Sequence, residues 1–446
     1  ALGPAYIKFG QIMSTRPDVV GEELAAQLSV LQDRLPPFAS ETARAVIEAE
    51  LGQPVDVLFS EFSEPVAAAS IAQVHRARRA DTGEEVAVKV LRPGIETAFR
   101  RDIDAFHLGA SLIEGLSPSS RRLRPRDVIS HFESVVHGEL DLRLEAAAAS
   151  QFAENTKDDA DFLVPKPHWA LSSRRVLTTD WAEGIAMNDL AAIRAAGHDM
   201  PRLAARILQL FLSHALRDGF FHADMHQGNL KVAASGDVIA YDFGIMGEID
   251  EYTRRVYAEI LMGFIQRDYA RVARVHFEAG YVPRDRDMAE FARALRAVGE
   301  PIFGAEASRI SMANLLSYLF EVTERFGMRT RTELILLQRT MVVVEGVARS
   351  LDPQINIWQV ARPVVESYIR SNLGPRAMLR DAGRALQVLS HYGPLLPDLL
   401  EQKLAQAAHG EPSQKISGNR DWWRPALFGA AAAMAGAALG WLIAAA

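Results

Sequence analysis

The hydrophobic positions of this chain change their period along its length, and the changes divide it into regions. Up to residue 60 they recur at helical spacing, broken at Gly21, at Pro36-Pro37 and at Gly52-Gln53-Pro54. Ile71–Arg79 and Glu85–Leu91 are instead short, partly alternating runs on either side of Asp81-Thr82-Gly83, the pattern of a β-hairpin. A helical stretch follows Pro93. An Arg-rich connection from Ser117 to Arg126 comes next, and residues 127–154 are predicted as one long helix. Phe162–Pro165 and Arg175–Thr179 are two more β-like runs ahead of Glu183-Gly184. From there to residue 410 the pattern is helical, interrupted around 220–245 by loops and a hairpin. Strands gathered early and helices after them predict an α+β chain of two unequal lobes, mostly helical, rather than a doubly wound sheet.

At 446 residues the chain exceeds one ordinary core. The expected divisions are an N-terminal helical extension over 1–58, a strand-bearing lobe with inserted helices over 59–182, and a helical lobe over 183–410. A linker and terminal helix over 411–446 complete the chain. The terminal helix changes the picture most. Pro425 to Ala446 are 22 consecutive residues without a charge, long enough to cross a hydrocarbon core. Half are Ala, so the drive to insert comes from Leu427, Phe428, Met434, Leu439, Trp441, Leu442 and Ile443. Trp422 and Trp423 stand where an interfacial aromatic belt would, flanked by Arg420 and Arg424. The expectation is a single C-terminal transmembrane helix in a cell inner membrane, with the body of the protein in the cytoplasm. An Ala-rich helix lying on the protein's own surface is the alternative. Gly436 and Gly440 form a Gly-x-x-x-Gly pair suited to a close homodimer contact. The chain opens on Ala1, without Met, so a preceding segment is expected and the lack of a signal peptide carries no weight.

Net charge and cysteine content narrow the function. A net charge of −7 argues against nucleic acid as a partner. The complete lack of Cys excludes disulfides, zinc–thiolate sites, iron–sulfur clusters and thiol nucleophiles. The Arg run from Arg121 to Arg126 reads as a solvated loop or as a contact for lipid headgroups.

Two stretches carry chemistry. Val86-Ala87-Val88-Lys89 puts an ammonium near the end of an apolar strand, where a phosphate could neutralise it; alone it is no more than a surface lysine. His222-Ala223-Asp224-Met225-His226-Gln227-Gly228-Asn229 says more. Its Asp224 precedes Asn229 by five residues, and Asp242-Phe243-Gly244 follows 13 residues after Asn229. That is the order of the catalytic and metal loops of protein kinases. Asp224 could orient or deprotonate an attacking hydroxyl, while Asn229 and Asp242 offer oxygen ligands to Mg²⁺. His222 and His226 have the spacing of a His-x-x-x-His metal pair, but Gly228 ends any helix quickly, so a structural, backbone-bonded His222 is the expectation.

The departures from ordinary protein kinases are informative. No Gly-x-Gly-x-x-Gly precedes Lys89; Ala67-Ala68-Ala69-Ser70-Ile71-Ala72-Gln73 stands in its place. Alanine keeps the backbone farther from phosphates than glycine would, which predicts altered nucleotide preference. Ala223 replaces the usual Arg, and helix resumes by about Asp250 with no Ala-Pro-Glu segment, so a peptide-docking platform is missing.

Lys8-Phe9-Gly10-Gln11, the Ala-rich loop, Val86–Lys89, Glu139-Leu140-Asp141, the His222–Asn229 loop and Asp242-Phe243-Gly244 occur in the order of the UbiB/AarF-type atypical kinases, which the chain resembles from residue 1 to about 350. The resemblance implies a protein-kinase-like fold, Mg²⁺ with ATP or ADP, ATPase activity, and an N-terminal extension covering the cleft. It implies that Lys8 and Gln11 sit over the active site near Glu139 and Asp141. Lys89 would contact the nucleotide phosphates and pair with an acidic residue, Glu145 first and Glu139 second. The stretch Ala67 to Ala72 (Ala67, Ala68, Ala69, Ser70, Ile71 and Ala72) would lie at the phosphates, and Asp180, Trp181 and Ala182 would form the hinge at the adenine. Gln227, Leu142 and Ala148 depart from the family pattern, the last leaving the hydrogen bonding of its helix open. The function expected is an ATPase supporting ubiquinone biosynthesis, with membrane lipids, quinone precursors and biosynthetic enzymes as partners. A phosphotransferase acting on a protein or lipid-like substrate and a nucleotide-gated scaffold are the alternatives.

Overall fold

The computed structural model describes residues 4–14, 36–116, 125–300 and 332–372, with residues 27, 322 and 325–328 between them. The C-terminal stretch expected to span a membrane, with Gly436 and Gly440, lies outside the described residues, as do Arg121, Arg122 and Arg124. Among the described residues no helix is long and apolar enough to cross a membrane.

Helix α1 (Pro4–Ser14) leads to α2 (Ser40–Leu51), α3 (Val55–Leu58) and the antiparallel strands β1 (Phe59–Ala68), β2 (Ala72–Arg79) and β3 (Glu85–Leu91). Helices α4 (Ile95–Leu116), α5 (Pro125–Glu139) and α6 (Leu142–Asn155) follow, then β4 (Phe162–Leu163) and β5 (Val176–Asp180). The upper sheet has the order β1-β2-β3-β5. Strand β1 has no clear signature in the sequence because it is an edge strand, largely exposed and interrupted by register shifts against β2.

Alternation along β3 decides what the sheet offers to either side. Val86, Val88 and Val90 are buried against Ala43 and Ile47 of α2, so the side chains between them, Lys89 included, leave from the opposite face. On that face Leu91 joins Phe99, Phe132, Leu142 and Ala146 from α4, α5 and α6. Helix α1 lies on the same cluster, with Phe9 5.0 Å from Phe106 and 5.2 Å from Phe132, ring centroid to centroid.

The single helix expected over 127–154 is two helices. The chain breaks at Leu140-Asp141, where Asp141 turns extended (φ −123°) and its carboxylate caps the Arg143 N–H at 3.1 Å. The Arg143 guanidinium grips the same carboxylate at 2.8 and 2.6 Å, which holds its pKa below the ordinary range. Helical periodicity continues through the break, and only the cap reveals it. Asp141→Ala is expected to destabilise the protein by about 1 kcal/mol in urea unfolding at neutral pH. Because the folded pKa is depressed, the difference should fade as acid titrates Asp141 below the usual carboxylate range.

The lower lobe opens with β6 (Ile185–Ala186), α7 (Leu190–Ala195) and α8 (Met200–Ser213). The short strands β7 (Phe220–His222), β8 (Leu230–Val232), β9 (Val238–Ala240) and β10 (Met246–Glu248) follow in pairs. Then come α9 (Glu251–Ile265), α10 (Tyr269–Glu278), α11 (Met288–Gly299), α12 (Thr332–Leu351) and α13 (Ile357–Asn372). Leu203, Ile207, Leu210 and Phe211 of α8 form the centre of the lower core, with α12 and α13 packed against them. The connections between these short strands carry Asp224, Asn229 and Asp242.

Candidate functional site

Lys89 leaves β3 on the face toward α6, and its Nζ lies 2.9 Å from both carboxylate oxygens of Glu145. Of the two acidic candidates, Glu145 makes this pair, while Glu139 is taken by Lys8 of α1 at 2.8 Å. Lys89 Nζ also lies 3.3 Å from Oδ1 of Asp242, so one ammonium spans two carboxylates. Burial alone would lower the Lys89 pKa, but the charges of Asp242 and Glu145 outweigh it and hold the amine above its ordinary range. Burial raises the Glu145 carboxyl despite Lys89, and the nearby charge of Asp242 adds to the rise. Asp242 is lowered, chiefly by the positive charge of Lys89.

The loop from His222 to Asn229 is braced from behind. His222 is fully buried; its Nδ1 accepts the Asp224 N–H at 3.1 Å, leaving Nε2 to donate to the Tyr241 carbonyl at 3.3 Å. Burial depresses its pKa, so it serves as a neutral structural strut. Asn229 gives its amide N–H groups to the backbone oxygen of Asp224 at 3.0 Å and to Oδ2 of Asp224 at 3.2 Å. With both amide protons engaged on Asp224, the carbonyl oxygen of Asn229 is available as a cation ligand. Asp242 adopts a left-handed backbone (φ 64°), a conformation that Asp tolerates better than most residues.

These groups border one cleft of about 460 Å³. Lys8, Lys89, Glu139, Glu145, Asp224, Asn229 and Asp242 all line it, with Ala69 and Ile71 forming part of its roof. The loop holding Ala69 is tied down: Arg92 donates to the Ala69 carbonyl at 2.9 Å, and buried Gln73 holds Phe38 through both of its backbone groups. Ala148, whose hydrogen bonding the sequence left open, contributes only its methyl to the wall.

Several expected site residues are not brought to the cleft. Asp141 is committed to its cap and to Arg143. Ala67, Ala68, Ser70 and Ala72 are absent from the lining: Ala67 and Ala68 belong to β1, Ser70 is wholly buried, and Ala72 packs into the core under the loop. Asp180, Trp181 and Ala182 are likewise not among its lining residues. Asp180 accepts from Lys166 N at 3.0 Å and faces His168 at 2.9 Å, and the Ala182 carbonyl receives Lys231 Nζ at 2.7 Å. Gln11 lies in α1, but its side chain is outside the described residues. Both ring nitrogens of His222 are engaged with backbone groups; among the described residues no group of three or more His, Cys, Asp or Glu is placed to hold a metal ion.

Periodicity also hid a contribution from α12. Thr340 Oγ1 lies 3.0 Å from the Ala223 carbonyl, and Gln227 donates to Ser350 Oγ at 2.6 Å. Arg339, beside Thr340, has its pKa lowered by burial and partly restored by the charge of Asp224. Thr340, a polar residue leading into the apolar run Met341-Val342-Val343-Val344, is the trace of this in the sequence.

Comparison with known proteins agrees with this architecture. Residues 30–276 match the ABC1 atypical kinase-like domain, and residues 295–356 match the UbiB helical domain. A probable protein kinase UbiB from Marinobacter nauticus is 40% identical over 418 residues, covering 93% of this chain and 76% of its own. One from Azotobacter vinelandii is 42% identical over 405 residues, covering 90% and 75%. The Mycobacterium tuberculosis structure described as an Rv3197–erythromycin complex superposes with a TM-score of 0.59 at 26% identity, over 81% of this chain and 92% of that one.

Proposed function

Since the chain belongs to the UbiB-type ABC1 atypical kinase family, we propose that it binds Mg²⁺ and ATP in the cleft under Ala69 and hydrolyses the nucleotide in support of ubiquinone biosynthesis at a membrane. The observation that carries the reading is the ion pair of Lys89 with Glu145, set over Asp242. A lysine spanning two carboxylates is pre-charged for phosphate, and transfer of a phosphoryl group depends on such placement more than on covalent chemistry.

The donor set fits a magnesium ion: one carboxylate from Asp242 and one amide oxygen from Asn229 are hard ligands, few enough to leave room for water and phosphate. Bound there, the ion would neutralise phosphate charge. Lys89 binds and orients phosphate oxygens, Glu145 keeps Lys89 aimed, and Asp224 accepts the proton of the attacking hydroxyl. The Lys8–Glu139 pair brings α1 across the cleft, where it restricts a bulky acceptor. That favours water, or a slender lipid-like alcohol, over a folded protein substrate. Membrane association rests on residues 425–446 and on their uncharged length.

The test is phosphate release with Mg²⁺ in the presence of anionic liposomes, paired with quinone content in cells lacking the protein. Turnover no greater than that of an Asp242→Asn control would overturn the enzymatic reading, and unchanged quinone content would overturn the pathway. Labelled product other than phosphate would favour phosphotransfer instead.

A further inference from the structure

A second cavity, of about 540 Å³, is lined by His226, Gln227 and Gly228 of the catalytic loop together with Val343 and Val347 of α12. His226 lines both this cavity and the nucleotide cleft. Its side chain is half exposed, so replacing it opens no hole in the core.

The imidazole is held in one tautomer. Nδ1 accepts the Gly228 N–H at 2.9 Å, and a ring nitrogen that accepts is unprotonated. The neutral ring therefore carries its proton on Nε2, which lies 3.5 Å from Oδ2 of Asp224. The same Oδ2 receives Asn229 Nδ2 at 3.2 Å. Among the described residues none donates to Oδ1 of Asp224. A separation of 3.5 Å is longer than a formed hydrogen bond, and such contacts commonly tighten when an active site is loaded.

We propose that His226 is a positioning residue for Asp224: with Asn229 it clamps Oδ2 and leaves Oδ1 as the atom that takes the acceptor proton. The inference rests on the reading of Asp224 as the base. In the step it serves, the acceptor O–H bond breaks and its proton passes to Oδ1. The acceptor oxygen bonds to the terminal phosphorus of ATP, and the P–O bond to ADP breaks with its electron pair staying on the ADP oxygen.

Two substitutions separate the two ends of the ring. His226→Asn keeps an acceptor for the Gly228 N–H but falls short of Asp224. His226→Gln extends an amide N–H to the reach of Nε2. The expected result is a kcat for phosphate release about ten- to a hundredfold lower in His226→Asn, with KM for Mg-ATP unchanged, and recovery of most of the loss in His226→Gln. Nitrogen-15 NMR of the imidazole should show the Nε2–H tautomer, with its resonance displaced by Asp224→Asn; this carries the test with His226→Gln should His226→Asn fail to fold. Wild-type kcat in His226→Asn, or His226→Gln no better than His226→Asn, overturns the proposal. Full turnover in Asp224→Asn sinks the base itself, whereas an inactive Asp224→Asn beside a fully active His226→Asn sinks only the role of His226.

Discussion

Asp242→Asn is expected to lower Mg²⁺-dependent phosphate release by about a thousandfold, equivalent to ~4 kcal/mol of transition-state stabilisation, with the fold retained. Asparagine is one of the few residues that accepts the left-handed backbone found at this position, so the loop should keep its course. What disappears is the charge. Asp242 is the carboxylate nearest to Lys89 after Glu145 and the only carboxylate of the proposed cation pair. Nucleotide binding measured calorimetrically without Mg²⁺ should change little, because Lys89 and Glu145 remain. A variant that bound Mg-ATP and turned it over normally would remove Asp242 from the mechanism.

The second large effect concerns stability. The side chains of Lys89 and Glu145 are only 18% and 10% exposed, so removing one partner strands the other in a poorly solvated place. Lys89→Met leaves Glu145 and Asp242 facing each other without a cation, and should cost about 3 kcal/mol in urea unfolding at neutral pH. The Glu145 carboxyl is already raised by burial, and loss of Lys89 raises it further. An acid with a folded pKa above its unfolded value weakens the fold once it must ionise. The deficit should therefore be largest at neutral pH and shrink as acid protonates Glu145. Adding Glu145→Gln to Lys89→Met should restore most of the loss, since a neutral amide can be buried beside methionine at lower cost. A double variant as unstable as Lys89→Met alone would show that the pair's charge is not the cause.

The parts of the site that the sequence revealed are those whose chemistry is local. Asp224 and Asn229 lie on one short loop, Asp242 begins the next, and Lys89 sits on an alternating strand whose valines announce their own burial. Local order in the chain sets these spacings, and the structure gathers all four residues around one cleft. The division into a strand-bearing part and a helical part was legible for the same reason: two hydrophobic periods, separated along the chain, demand different layers. The kinase-like fold itself came from the order of the motifs and the resemblance they carry.

Only the tertiary structure decided the rest, and in each case because the choice depends on packing between distant segments. Glu139 and Glu145 are equally acidic in sequence. The break at Asp141 separates their helices, so Glu139 meets Lys8 and Glu145 meets Lys89. Nothing in the periodicity of α12 says that Thr340 will lie against Ala223, a residue 117 positions earlier. Asp141 was expected over the active site and Asp180 at the adenine. The structure gives Asp141 to a helix cap with Arg143 and sets Asp180 against His168, contacts that no local pattern announces. Sequence determined which chemical groups this protein has and in what order they appear. Which of them face one another was settled by long-range burial, whose partners no local pattern encodes.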